Sequence, residues 1–218
     1  MRLITLSLLL ICSLSFFVNT TTCVAQDKDA QKILDKVSQK FKALDALQAD
    51  FSLQIENAAA GIDETQEGKV FVKGDKYKIE AEGLLRLSNN KYVWTYFIEE
   101  EEIQVNDFDP EEGEMSPARL FNIYNEDFNF MINDEQKSAS TAVIDLTPKE
   151  KSEMPYYKVR LSINTNSNLI EKAVIFEKSG SRFTYILKNI DTKVSFNDPF
   201  FELKEDDYED VDWIDLTD

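Results

Sequence analysis

Asp107, Asp109, Glu111 and Glu112 come nearest, among the ionisable residues, to a row of metal ligands. A calcium loop needs oxygen donors at fixed positions, a central glycine and a closing glutamate. This run has neither the glycine nor the glutamate where such a loop needs them. The chain has no histidine, and its cysteines are Cys12 and Cys23. Beyond residue 23 it therefore lacks the usual general base, the commonest metal ligands and the thiol nucleophile. No glycine-rich phosphate loop is present. Paired carboxylates can hydrolyse glycosides, but among 41 acidic residues a neighbouring pair carries little information. The expectation is a protein that is not an enzyme and uses no cofactor or metal.

The chemistry that remains is the burial of apolar surface. In the segment 92–97, alternation puts Tyr92, Trp94 and Tyr96 on one face of a strand and Val93 and Phe97 on the other. A sheet apolar on both faces needs two covers, of which one is protein and the second is protein or lipid. Phe71, Tyr77, Ile79, Leu85, Leu87, Trp94 and Tyr96 are the candidate walls of a lipid cavity. Core packing accounts for any one of them equally well, because alternation does not say which face is concave.

These side chains need elements to hold them. Over 27–48, Ala30, Ile33, Leu34, Val37, Phe41, Leu44 and Leu47 form a single helical stripe. Ser116-Pro117 opens a second, short helix carrying Leu120, Phe121 and Tyr124. Phe41, Leu44, Leu120, Phe121 and Tyr124 are the candidate lid residues facing the sheet. Strands are expected at 50–56, 68–73, 77–80, 84–88, 92–97, 103–105, 142–146, 156–164, 169–177, 182–190 and 200–203. Gly74-Asp75 and Asn89-Asn90 supply turn chemistry. No long helix separates the strands, so an antiparallel meander without parallel crossovers is expected.

Charge and the first residues set partners and compartment. With 24 basic against 41 acidic residues the chain is repelled by phosphate backbones, which excludes nucleic acid. The acidic runs 99–102, 107–114 and 205–218 read as solvated loops and a tail, or as docking surface for a basic partner. Residues 1–25 read as a signal peptide cleaved after Ala25, leaving 26–218 as a single domain with an acidic tail. A soluble periplasmic monomer follows. Acylation of Cys23 is the alternative, though Thr20, Thr21 and Thr22 before it match a lipid-attachment signal poorly.

Several segments, in order, resemble the periplasmic outer-membrane lipoprotein carriers (LolA-like). Leu47-Gln48-Ala49-Asp50-Phe51-Ser52-Leu53-Gln54 is similar to that family's Leu-x-Ala-x-Phe-x-Gln opening, with the glutamine displaced by one. Gly68-Lys69-Val70-Phe71-Val72-Lys73 resembles its second strand. Leu87-Ser88-Asn89-Asn90-Lys91-Tyr92-Val93-Trp94-Thr95-Tyr96 resembles its Ser-Asp-Gly-Lys-x-Leu-Trp-x-Tyr hairpin. Ser116-Pro117, Leu146-Thr147-Pro148-Lys149 and Val211-Asp212-Trp213-Ile214-Asp215 are similar to its later elements. The resemblance implies an α+β fold, a curved antiparallel sheet forming an incomplete β-barrel covered by helices. It implies a carrier that shields lipoprotein acyl chains between an inner-membrane lipoprotein-releasing transporter and an outer-membrane acceptor. A lipid- or protein-binding envelope sensor or scaffold of the same fold is the alternative. One position departs: where the family places a basic lid latch after Val-Lys, this chain has Gly74.

Overall fold

The computed structural model describes residues 27–109, 128–149 and 154–217. The expected signal segment, both cysteines, and Leu120, Phe121 and Tyr124 of the second lid helix lie outside the described residues.

Helix α1 (Lys28–Lys42) starts where Asp27 accepts the backbone N–H groups of Asp29 and Ala30 through Oδ1, satisfying donors that a first turn leaves unpaired. Lys40 and Lys42 in its last turn complement the helix dipole. Ala30, Leu34, Val37 and Phe41 form its buried stripe. The helix ends sooner than its spacing predicts. Leu47 and Ala49 alternate into a strand, and pairing Leu47 with Val72 replaces a further helical turn.

Twelve strands follow: β1 (Leu47–Asn57), β2 (Ile62–Lys73), β3 (Lys76–Ala81), β4 (Leu84–Ser88), β5 (Tyr92–Phe97), β6 (Glu102–Asp107), β7 (Phe128–Ile132), β8 (Thr141–Pro148), β9 (Tyr156–Asn164), β10 (Leu169–Glu177), β11 (Arg182–Asp191) and β12 (Asp212–Asp215). Their order in the single sheet is β12-β6-β5-β4-β3-β2-β1-β11-β10-β9-β8-β7. Two meanders are thus joined along β1 and β11, and the sheet stays open between β12 and β7. Register irregularities in the β1/β11 and β9/β10 pairs bend it locally. The expected open, mainly antiparallel sheet with a helix is what forms.

Three expectations are corrected. Residues 200–203 are not a strand: Pro199 fixes the backbone of a 3-10 turn over Asp198–Phe201. Parallel pairing does occur, because the segment after β11 crosses the sheet and returns as β12 alongside β6 in parallel register. The acidic run from residue 205 is therefore not a solvated tail, since it contains β12. Strand β7, which alternation did not reveal, is a short edge strand.

Candidate functional site

The sheet has two apolar faces with different covers. On the first, α1 packs mainly against β7 and β10. Beside it, β1 and β11 bring together the pairs Phe51/Leu187, Leu53/Tyr185 and Ile55/Phe183. All of these side chains are half-buried, and Ile79 on β3 is half-buried on the same face. This apolar ladder continues the core beyond the helix without being sealed by it.

Gly68 lies across from Phe51 on β2. A Cβ there would stand 2.8 Å from Phe51 Cε1 and collide with the backbone oxygen of Glu80. The absent side chain lets the Phe51 ring lie over the strand while β3 pairs on its other side.

On the second face the alternation of β2 to β6 gathers Phe71, Leu85, Leu87, Trp94, Tyr96, Ile103 and Val105. The chain's own residues 196–213 cover it as a strap. Phe71 meets Phe196 and Phe200 at ring distances of 5.6 and 5.2 Å, and Tyr96 meets Tyr208 at 5.5 Å. Leu203, Val211 and Trp213 pack on Leu87, Trp94 and their neighbours. Polar fasteners flank this contact. Lys73 Nζ donates to the Phe196 carbonyl at 2.8 Å and to Asp198 Oδ1 at 3.0 Å. Lys76 Nζ lies 3.1 Å from the same oxygen, and Asn89 Nδ2 donates to Glu202 Oε1 at 3.0 Å. Hydrogen bonds from Lys73 and Lys76, then their charges, hold the Asp198 carboxyl below its usual range. Burial, followed by Tyr96 and Asp207, pushes the Tyr208 phenol up.

The candidate wall residues are thus divided. Tyr77 and Ile79 pair with Val72 and Val70 and look toward the helix side. Phe71, Leu85, Leu87, Trp94 and Tyr96 lie on the opposite face, under the strap. Phe41 is buried in the main core, with Leu44 half-buried against it. Phe51, Leu53, Ile55, Phe183, Tyr185 and Leu187 are not among the candidate wall residues, although 50–56 carries the one-sided alternation that marks such a face. Arg86 stands in register between Ile79 and Thr95 on the helix side and is half-buried. Gly74 has φ +59° in an open turn, and its neighbour Lys73 fastens the strap.

The helix itself is tied to the edge of the sheet. Asp27 Oδ2 accepts the Ile132 N–H of β7 at 3.1 Å. Backbone donation from Ile132, then from Ala30, holds the Asp27 carboxyl below its usual range. On the opposite face of the second meander, Arg160 grips Asp145 with Nε–Oδ1 at 2.6 Å and Nη2–Oδ2 at 2.8 Å. Among the described residues no group of three or more carboxylate, histidine or cysteine side chains is placed to hold a metal ion. Nor does any helix there reach the length and apolarity needed to cross a membrane.

A family model described as outer membrane lipoprotein carrier protein LolA matches residues 42–204. An uncharacterised conserved protein from Thermus thermophilus superposes with a TM-score of 0.57 at 12% identity, covering 86% of this chain and 99% of that one. A LolA superfamily protein from Nitrosomonas europaea gives 0.45 at 15% identity, over 80% of this chain and 97% of its own. LprF from Mycobacterium bovis gives 0.44 at 16% identity, over 80% and 99%. No curated protein sequence matches this chain.

Proposed function

We propose, from the premise that the chain belongs to the outer membrane lipoprotein carrier protein LolA family, that it carries acyl chains, those of lipoproteins, against the helix-side face of its sheet. The half-buried ladder of Phe51/Leu187, Leu53/Tyr185 and Ile55/Phe183 supports this reading. Each methylene removed from water is worth about 0.8 kcal/mol, so an acyl chain crossing an aqueous space needs such a surface. Apolar attraction is non-directional, which suits a load that must also be released. Tyr77 and Ile79 extend the surface toward β3. The remaining candidates, Phe71, Leu85, Leu87, Trp94 and Tyr96, serve the carrier by seating the strap.

Passage through the periplasm after cleavage at Ala25 is part of the same proposal. So are an inner-membrane donor transporter, an outer-membrane acceptor and a monomeric, non-catalytic carrier. The test is uptake of a fluorescent triacylated lipopeptide by the purified protein, followed by its transfer to acceptor vesicles. Saturable uptake and transfer are expected, with uptake lost in Leu53→Asp. No uptake by the wild-type protein would overturn the reading. Uptake without transfer would favour the sensor or scaffold.

A further inference from the structure

The sheet ends in two edge strands, and the chain treats them differently. On β7 the outward Ile132 N–H is occupied by Asp27 Oδ2. On β12 the N–H groups of Asp212 and Leu216 turn inward, to the carbonyls of Glu101 and Val105, each at 2.8 Å. In a strand the alternate backbone groups face the other way, so Trp213 and Asp215 present theirs outward. Among the described residues nothing pairs with that side.

Side chains mark the same edge. Trp213 turns into the strap cluster, while Ile214 and Leu216 share the opposite side of the strand, 37% and 52% exposed. Edges are commonly guarded by lysine or proline, yet residues 205–217 contain neither. What surrounds the edge is acid from two runs distant in sequence. Asp212 stands in register with Glu102 and hydrogen-bonds the Glu101 backbone, Asp215 ends the strand, and Glu209 and Asp210 precede it. Such a border repels a second copy of itself and attracts an extended cationic segment.

We propose that the outer edge of β12 is a docking site for a partner protein's extended basic segment, which adds as the next strand. Main-chain hydrogen bonds to Trp213 and Asp215 supply the register. Apolar side chains of the incoming segment meet Ile214 and Leu216, its alternate lysines or arginines share the other face with Asp215, and the remaining carboxylates act through the charge of the border. This surface is separate from the acyl-chain ladder and does not depend on it.

The test titrates the full chain with a short synthetic peptide alternating lysine and valine. Two analogues accompany it: one N-methylated at every second amide with unchanged charge, and one with glutamate in place of lysine. Amide spectra locate the site. Saturable binding of the lysine peptide, with shifts centred on 101–105 and 211–216, is expected, and the N-methylated analogue should bind at least about tenfold more weakly. Asp215→Pro removes an outward N–H and leaves the β6 ladder in place, so it should weaken binding about tenfold. Asp215→Asn keeps both that N–H and the acceptor for Thr217, and should stay within about threefold of wild type. Equal binding of the N-methylated analogue would overturn the proposal, reducing the effect to charge alone. Binding of the glutamate peptide would overturn it too, as would self-association through β12 in the absence of peptide. No acyl group is present in any of these probes, so failure of lipopeptide uptake would leave the result intact.

Discussion

Lys73 Nζ and Asp198 Oδ1 stand 3.0 Å apart although 125 positions separate them in sequence. The ion pair fastens the strap, but its carboxylate is 60% exposed, so water screens it. The larger hold comes from Phe201, fully buried and in edge contact with Phe196 and Phe200. Phe201→Ala should therefore lower unfolding stability by about 3–5 kcal/mol, while Asp198→Ala should change the urea midpoint far less. Urea denaturation of both variants, followed by tryptophan fluorescence, checks the ordering.

Gly68→Ala places a methyl group against the Phe51 ring and the Glu80 backbone. Because one of those neighbours is backbone, relief requires β2 or β3 to move. A loss of about 1–3 kcal/mol is expected, with lipopeptide uptake reduced because Phe51 is displaced. Denaturation and uptake measured on one preparation separate the two effects.

The ladder residues are half-buried, whereas Leu161 is fully buried in the main core. Leu187→Asp should abolish lipopeptide uptake while the protein stays folded. Leu161→Ala should do the opposite, costing about 2–5 kcal/mol of stability and leaving the residual folded protein able to load. Uptake assayed well below each variant's melting temperature checks this contrast.

Acid should unfasten the second meander and the helix. Burial alone would raise the Asp145 carboxyl, but hydrogen bonds from Arg160 and Asn133, with the charges of Arg160 and Lys158, outweigh it and lower it below 3.8. Asp27 is lowered too, chiefly by Ile132. A carboxyl whose folded pKa is depressed stabilises the fold above its unfolded value, and that contribution is lost as pH falls through the folded one. Stability should drop from about pH 4 downward. Asp145→Asn should lose about 1–3 kcal/mol at pH 7 and show a shallower fall in acid. Urea midpoints measured across this range check both.

The sequence made the local elements legible where alternation is clean and turn residues bracket it. β4, β5, β9 and β10 match their expected bounds. β12 was not legible, because Asp212-Trp213-Ile214-Asp215 alternates weakly and its pairing is decided by β6, more than a hundred positions away. The site was half legible. Alternation shows that Trp94 and Tyr96 share a face, but their cover depends on where Phe196, Phe200 and Tyr208 come to lie. The phase of β3 has the same character: Tyr77 and Lys78 take opposite sides only once β2 fixes which side meets α1.

The joint between β1 and β11 also bears on how the molecule assembles. Each meander is built of hairpins that close between near neighbours, whereas Phe51 must find Leu187 across most of the chain. Closing so long a loop costs entropy before any contact repays it. The two halves should therefore form early and dock late, with substitutions along this seam slowing refolding more than those within either half. Until that docking, neither half presents the completed ladder. Before it, β1 and β11 are unpaired edges that carry these same apolar side chains, so the undocked halves are the stage of folding most open to aggregation.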